Sequence, residues 1–337
     1  MLQIIVSFIW IGGSILSKRI AIIDGDLLVY KCAAAAEERS ILVMHKPTGI
    51  SKSFKTRTDF KKVMKEKNKE ITEDYSIEDQ QEAESPAFCF KVIRQKIEKI
   101  KRETNADSVE VWCTDVDNFR LDLPLPKRYK SNRKDTIRPV LLSDAQEYVK
   151  RAFGAKQAKG LEVDDMIIIR GYEELEKGNF PILPVWEKDT MQATGLNIWI
   201  EESNLIETLP ELGEIFLANS STVKGNGLKF LCHQWIWGDR SDSFCGYDLA
   251  NIRFGAKSSY DYLKDLDTPK ACLESVIKKY KEWYPEPFEY TAWNEEVIQV
   301  DWKFLLEMYF KCCWMKRRMD DPSDPRELFD KYGVKYE

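Results

Sequence analysis

The chain has 337 residues, 43% of them hydrophobic, with 51 Lys and Arg against 56 Asp and Glu for a formal charge of −5. That length and apolar content support one large domain or two lobes, and exclude a disulfide mini-protein, a collagen-like chain and a wholly disordered one. Its two histidines, His45 and His233, argue against multi-histidine zinc sites and Ser-His-Asp chemistry, and the acidic total argues at first against nucleic acid as partner.

Residues 1–16 form an apolar run with no basic segment before it. It is short for a membrane span, and translation is expected to begin near Leu16 or Ser17, leaving a cytoplasmic protein with no membrane partner. The eight cysteines include no CxxC pair, and several lie in apolar runs, as expected of reduced core residues. Arg19–Ile23 reads as a strand ending at Asp24-Gly25-Asp26, followed by an Ala-rich helix over Leu27–Glu38. Ile41–His45 and Ile50–Lys55 flank a Lys-Pro-Thr-Gly turn and predict a hairpin. Residues 46–69 carry nine bases against two acids, a candidate duplex-contact segment. Residues 70–84 hold seven acids and no base, which suggests a mobile linker or exposed loop.

Pro86 opens a helix along which Cys89, Val92, Ile93, Ile97 and Ile100 recur at helical spacing. Ser108–Cys113 reads as a strand ending near Asp115. Residues 127–159 carry ten Lys and Arg against three acids and include a helix expected to be capped by Ser143. Glu162–Lys177 reads as a helix closed by Gly178, and Ile182–Trp186 as a strand ending at Glu187-Lys188-Asp189. Strand and helix alternate over 19–200, which predicts an α/β fold with a mostly parallel central sheet. From about Leu228 onward the pattern is mostly helical.

The carboxylates fall at the ends of these strands: Asp24 and Asp26 after the first, Asp115 after another, Glu187 and Asp189 after a third. Strand ends of one parallel sheet converge on a single crevice. Glu162, Asp164 and Asp165 open a helix, and Asp239 and Asp242 follow the apolar run 230–237. Each cluster alone fits ordinary capping, but together they describe an all-oxygen site. Two carboxylates about 5 Å apart repel by roughly 3 kcal/mol at an effective dielectric near 20, so such a cleft must protonate or hold cations. Oxygen ligands suit Mg²⁺ or Mn²⁺, and two such ions form a clamp for phosphodiester hydrolysis. The adjacent segment Lys127–Lys134 favours phosphate over calcium binding. Lys130 and Arg133, which would share a face on a helix, could grip a scissile phosphate, and Tyr129 could stack on a base.

Several segments in order resemble the phage-type 5′–3′ exonuclease and flap endonuclease family. They are Ile-Ile-Asp-Gly-Asp at 22–26, Asp115 with Phe119-Arg120 and Tyr129-Lys130-Ser131-Asn132-Arg133, Gly160–Asp165, Trp186-Glu187-Lys188-Asp189 with Gln192, and Gly238–Asp242. The series spans 19–265. The resemblance implies a PIN-like nuclease domain over 17–227, with a basic helical arch within 127–159, an insertion at 40–85, and a helical DNA-binding region over 228–337. It implies a first metal site of Asp24, Asp115, Glu162 and Asp164, with Asp165 as a further member, and a second of Glu187, Asp189, Asp239 and Asp242. Lys130 and Arg133 would be catalytic. Arg120, Tyr129, Lys130 and Arg133 would contact DNA, as would Gly246, Gly255 and Lys257 in a helix–loop–helix at 238–265 with a K⁺ site. Glu187 stands where the family has Asp, Ser243–Gly246 replaces Asn-Ile-Pro-Gly, Ser258 replaces Thr, and the interval from Asp242 to Gly255 is longer than the family's by about four residues. The activity implied is two-Mg²⁺ hydrolysis of DNA 5′ ends or flaps by a monomer in phage replication or degradation. RNA–DNA hybrids, or branched DNA held without cleavage, are the alternatives.

Overall fold

The protein is described from a computed structural model covering residues 17–115, 117–133 and 136–336. The apolar run 1–16 lies outside the described residues. Among those described, no helix is long and apolar enough to cross a membrane.

Strand β1 (Arg19–Asp24) is fully buried after its first residue and feeds helix α1 (Gly25–Ala35), whose N-cap is Asp24 itself. The helix ends earlier than its alanines predict, because β2 (Glu37–His45) starts two residues later. β3 (Ile50–Phe54) completes the expected hairpin, and α2 (Arg57–Glu66) follows it. The acidic stretch is not a loop. Its residues Tyr75–Ala83 form β4, which pairs antiparallel with the whole of β2, from Glu37↔Ala83 to His45↔Tyr75. Tyr75, Ile77 and Asp79 fall on the face of β2 that carries Ile41 and Val43, whereas Glu78 and Glu82 fall on the other, as a strand's period of two requires. The resulting three-stranded sheet, ordered β3-β2-β4, is a small unit with its own apolar centre of Ile41, Val43, Phe60 and Met64.

Helix α3 (Pro86–Glu103) has Pro at its first turn and buries Cys89, Ile93, Ile97 and Ile100, as its spacing requires. It returns the chain to β5 (Ser108–Thr114). Helix α4 (Leu142–Phe153) follows Leu141, which supplies no side-chain cap, so Ser143 does not cap it. Next come β6 (Lys156–Ala158), α5 (Val163–Glu176), β7 (Phe180–Pro184), β8 (Asn197–Ile200) and β9 (Leu205–Thr208). The main sheet is six-stranded, in the order β6-β5-β1-β7-β8-β9, and is parallel except for the edge strand β9. Successive crossovers leave β1 first toward β5 and later toward β7, so the order reverses beside β1. A crevice at the carboxyl ends is the geometric consequence.

A β10–β11 hairpin (Ile215–Asn219, Thr222–Gly225) leads into α6 (Gly227–Trp237), which is buried along almost its whole length. Helices α7 (Ala256–Leu263) and α8 (Pro269–Trp283), a β12–β13 hairpin (Phe288–Thr291, Val297–Val300), α9 (Trp302–Cys313) and α10 (Pro325–Lys331) surround it. The hairpin is an addition to the helical pattern legible in the sequence. Trp235, Tyr280, Tyr309, Phe310 and Phe329 form the aromatic heart of this core. All eight cysteines are free thiols, and seven are buried.

Candidate metal and nucleic-acid site

An open cleft of about 1070 Å³ lies across the carboxyl ends of β1, β5 and β7. Asp24, Asp26, Asp115, Glu162, Asp164, Glu187, Asp189 and Asp242 all line it, with Lys130, Arg133 and Arg138 on the same walls. Each acid arrives there for a local reason. Asp24 accepts the Leu27 amide (2.9 Å) as the cap of α1, and Asp26 accepts the Thr114 amide (2.8 Å), tying β1's end to β5's. Glu162 is the N-cap position of α5, and Asp164 lies in that helix's first turn, where the dipole favours acids. Glu187 and Asp189 follow β7. Asp239 and Asp242 sit in a tight turn where Asp239 accepts the amide (2.8 Å) and hydroxyl (2.6 Å) of Ser241.

Two groups of carboxylates bring ligand oxygens within 4.8 Å of one another: Asp164, Glu187 and Asp189, and Asp189, Asp239 and Asp242. Asp189 belongs to both. Burial raises the Asp24 carboxyl to about 8, with Asp26 and Glu187 adding to the effect, and raises Asp189 to about 7. Asp164 lies well above the ordinary range, through burial and the charges of Asp24, Glu187 and Asp189. Glu187 is solvent-open on one side. It is raised by the crowded cleft wall and by Asp242 and Glu162, against the pull of Lys130 and Arg133. Only oxygen donors are offered, and these acids hold more negative charge than their surroundings compensate. The residues therefore fit hard divalent cations.

Protein cations answer part of that charge. Lys130 pairs with Glu162, Arg133 with Asp242 (2.7 Å), and Lys188 with Asp239 (2.5 Å). Lys188 keeps Asp239 below its ordinary value despite burial. Lys130 is raised although burial opposes its charge, because Glu162 and Asp242 face it. Lys130 and Arg133 do not share a helix face: Lys130 has a positive φ of 57° and leads into a short 3-10 turn, Ser131–Arg133. The Lys130 amide donates to the Asp242 carbonyl (2.9 Å), which docks this basic segment directly onto the Asp239–Asp242 turn.

Four sequence expectations are corrected by burial. Arg120 has no exposed surface and contacts no solvent-borne partner. Its guanidinium forms a two-pronged bond to Asp165 (2.6 and 2.9 Å), so Asp165 is committed to Arg120 and not to a metal. Tyr129 is 3% exposed and cannot stack on a base. Its hydroxyl donates to the carboxylates of Glu162 (3.2 Å) and Asp242 (3.1 Å), alternatives for one proton that place it between the two clusters. Gly246 is buried where an added Cβ would meet the Trp235 carbonyl at 2.6 Å and the Tyr280 hydroxyl at 2.6 Å, so it serves packing between α6 and α8. Gly255 caps α7, and Lys257, exposed on α7, pairs with Asp261.

Gln234 and Lys188 were not singled out by sequence. Gln192 Nε2 donates to Gln234 Oε1 (2.6 Å), and Gln234 Nε2 donates to Asp189 (2.6 Å), so two buried amides orient the carboxylate shared by both clusters. Gln192 belongs to the quoted series, whereas for Gln234 the one available cue was a polar residue within the apolar run 230–237. His233 is buried and meets Ser259 (2.9 Å), and His45 meets Thr48 (2.8 Å); neither lines the cleft.

No protein-family model and no curated protein matches the chain. Among solved structures, it is similar to a bacteriophage T5 protein co-crystallised with metal ions, at 16% identity and a TM-score of 0.45 over 87% of each chain. A T5 5′-exonuclease mutant shares 14% identity, with a TM-score of 0.44 over 87% of this chain and 85% of that one. A T5 flap endonuclease in a pseudo-enzyme–product complex with DNA and metal ions gives 14%, 0.44, and coverage of 79% and 86%.

Replacing Arg120 with Met should lower unfolding free energy by about 3–5 kcal/mol, because Asp165 would stay buried and unpaired. Urea melts check this, and the Arg120→Met/Asp165→Leu double variant should recover much of the loss. Asp24 and Asp189 have folded pKa values above their unfolded ones, so their contribution is full below about pH 4. It is lost as pH rises through about 7 to 8. Metal-free protein should therefore melt lower at pH 8 than at pH 6 through these groups, and Mg²⁺ should raise the midpoint more at pH 8. Thermal melts with EDTA or Mg²⁺ at both pH values measure the difference.

Proposed function

We propose that this protein is a PIN-like, metal-dependent nuclease that hydrolyses phosphodiester bonds at the 5′ ends or flaps of DNA. The observation that carries the reading is the convergence of acids from three parallel-strand ends, one helix start and one distant turn on a single cleft, with four cations on its walls. A site that binds only metal does not need the cations; a site that must also receive a phosphate does. The 5′ polarity, the DNA preference and a phage setting rest on the ordered sequence series over 19–265 alone.

Asp164, Glu187 and Asp189 would hold one Mg²⁺ or Mn²⁺, and Asp189, Asp239 and Asp242 would hold or support another, with Asp24, Asp115 and Glu162 toward the first. Bound there, divalent ions supply a lowered pKa for an attacking water and stabilisation of the leaving oxygen. The chain's own residues do the rest. Lys130 and Arg133, released from their carboxylates as metal takes up that charge, would turn to the scissile phosphate. Arg138 would hold the neighbouring phosphate. Tyr129 and the Gln192–Gln234 pair keep Glu162, Asp242 and Asp189 aimed, which limits the reorganisation a reaction must drive.

Asp164→Asn with Asp189→Asn should abolish Mg²⁺-dependent cleavage of 5′-labelled flap DNA, by more than the roughly 10–100-fold that loss of a supporting outer partner costs. Cleavage at the wild-type rate would sink the reading. Lys130→Ala should slow single-turnover cleavage by about 10²–10³-fold while weakening binding far less; equal losses would remove Lys130 from phosphate positioning. Matched flaps with a DNA or an RNA 5′ strand decide the sugar preference.

A further inference from the structure

The β2–β4 unit carries a surface that the cleft does not account for. Helix α2 turns Phe60 and Met64 into the unit's apolar centre, and the same helical period puts Lys61, Lys62 and Lys65 on its outer face. Past the C-cap, Asn68 takes a left-handed conformation (φ 51°), and the Lys69 amide returns to the Met64 carbonyl (3.0 Å). Lys67 and Lys69 thereby extend the row. All five lysines are exposed, and none makes an ion pair within the described residues. Of the neighbouring acids, Asp79 is taken by Arg57 (2.6 Å), Asp59 is bonded to Thr56 (2.8 Å), and Glu78 and Glu82 lie on the opposite face of the sheet, which leaves Glu66 among the lysines.

The unit is also fastened to the cleft. Its Glu37 carboxylate accepts the Val140 amide (2.8 Å), and Gln81 donates to the Arg138 carbonyl (2.9 Å). Arg138 and Thr136 are cleft-wall residues. Ile41, where α2 packs on β2, is four residues beyond Glu37, so the lysine row stands roughly 13 Å out from that attachment. Five lysines against the single acid Glu66 over residues 61–69 leave a formal surplus of four positive charges, a footprint for a polyanion with regularly spaced charge.

We infer that the outer face of α2 and its following turn bind the sugar–phosphate backbone of the nucleic acid whose end lies in the cleft. The choice of polyanion rests on the nuclease reading, while the surface itself does not. The face supplies sequence-independent grip outside the reacting site, with a strong dependence on salt.

The test compares the full chain with Lys61→Ala/Lys62→Ala/Lys65→Ala and with a charge-matched control, Lys101→Ala/Lys224→Ala/Lys278→Ala, all exposed positions. The probes are a long flap duplex and a short one truncated to the cleft. The α2 variant should bind the long duplex about tenfold more weakly, with the slope of log affinity against log salt reduced by about 2–3. Short-duplex binding and cleavage at saturating DNA should stay at wild-type values, which also reports an intact fold. Wild-type affinity and slope in the α2 variant, equal losses in the control, or a loss confined to anionic vesicles would overturn the inference. If the wild type cleaves DNA and the α2 variant binds the long duplex normally, this surface fails and the nuclease reading stands. If the wild type binds DNA without Mg²⁺-dependent cleavage and the α2 variant loses that binding, the nuclease reading fails and the surface stands.

Discussion

The guanidinium of Arg120 is the point on which both halves of the molecule depend. It has no solvent exposure and meets Asp165 from α5, the Lys311 carbonyl (3.1 Å) and the Trp314 carbonyl (2.6 Å) at the end of α9, with Glu162 at 3.3 Å. Asp165 also accepts the Lys316 amide (2.9 Å). Burial alone would weaken such a cation, but Asp165 and Glu162 outweigh it and keep it charged. One planar group thus joins the helix that carries Asp164 to the C-terminal core that carries the Asp239–Asp242 turn. Five donors in a fixed fork can do this; a lysine in the same place could not satisfy as many acceptors in a plane.

That junction explains why the cleft can be so acidic and still be built. The carboxylates around Asp164 and those of the Asp239–Asp242 turn come from different parts of the chain and would separate if only their mutual repulsion acted. Tyr129, Lys130 and Arg133 stitch them together from the cleft side, bridging Glu162 to Asp242, while Arg120 holds the rear. The net charge of −5 is accordingly the sum of strongly separated regions. An acidic crevice, a basic helix and an acidic sheet face occupy different surfaces, so the total says little about what any of them can bind.

Much of this was legible in the residues. Strand and helix alternation located β1, α3, β5 and β7, and the convergence of Asp24, Asp115, Glu162, Asp164, Glu187 and Asp189 followed from where those strands end. What failed to show is instructive. Asp165 and Arg120 stand beside genuine cleft residues, and only three-dimensional burial tells a ligand from a tie. Tyr129 reads as an exposed aromatic amid lysines, yet its hydroxyl is drawn inward by two carboxylates. Residues 70–84 look unstructured by charge, because composition is blind to a partner strand; β2 supplies hydrogen bonds that outweigh a weak intrinsic preference.

The small three-stranded unit enters and leaves the larger fold at one place: the Glu84 amide donates to the Ala36 carbonyl (2.8 Å), closing the excursion on itself. A segment whose two ends already touch puts no geometric demand on the sheet beneath it, and lengthening such a loop carries only a slowly growing entropic cost. Changes in the length of this module therefore strain the main sheet little, and they are felt at the cleft only where Glu37 and Gln81 hold Val140 and Arg138.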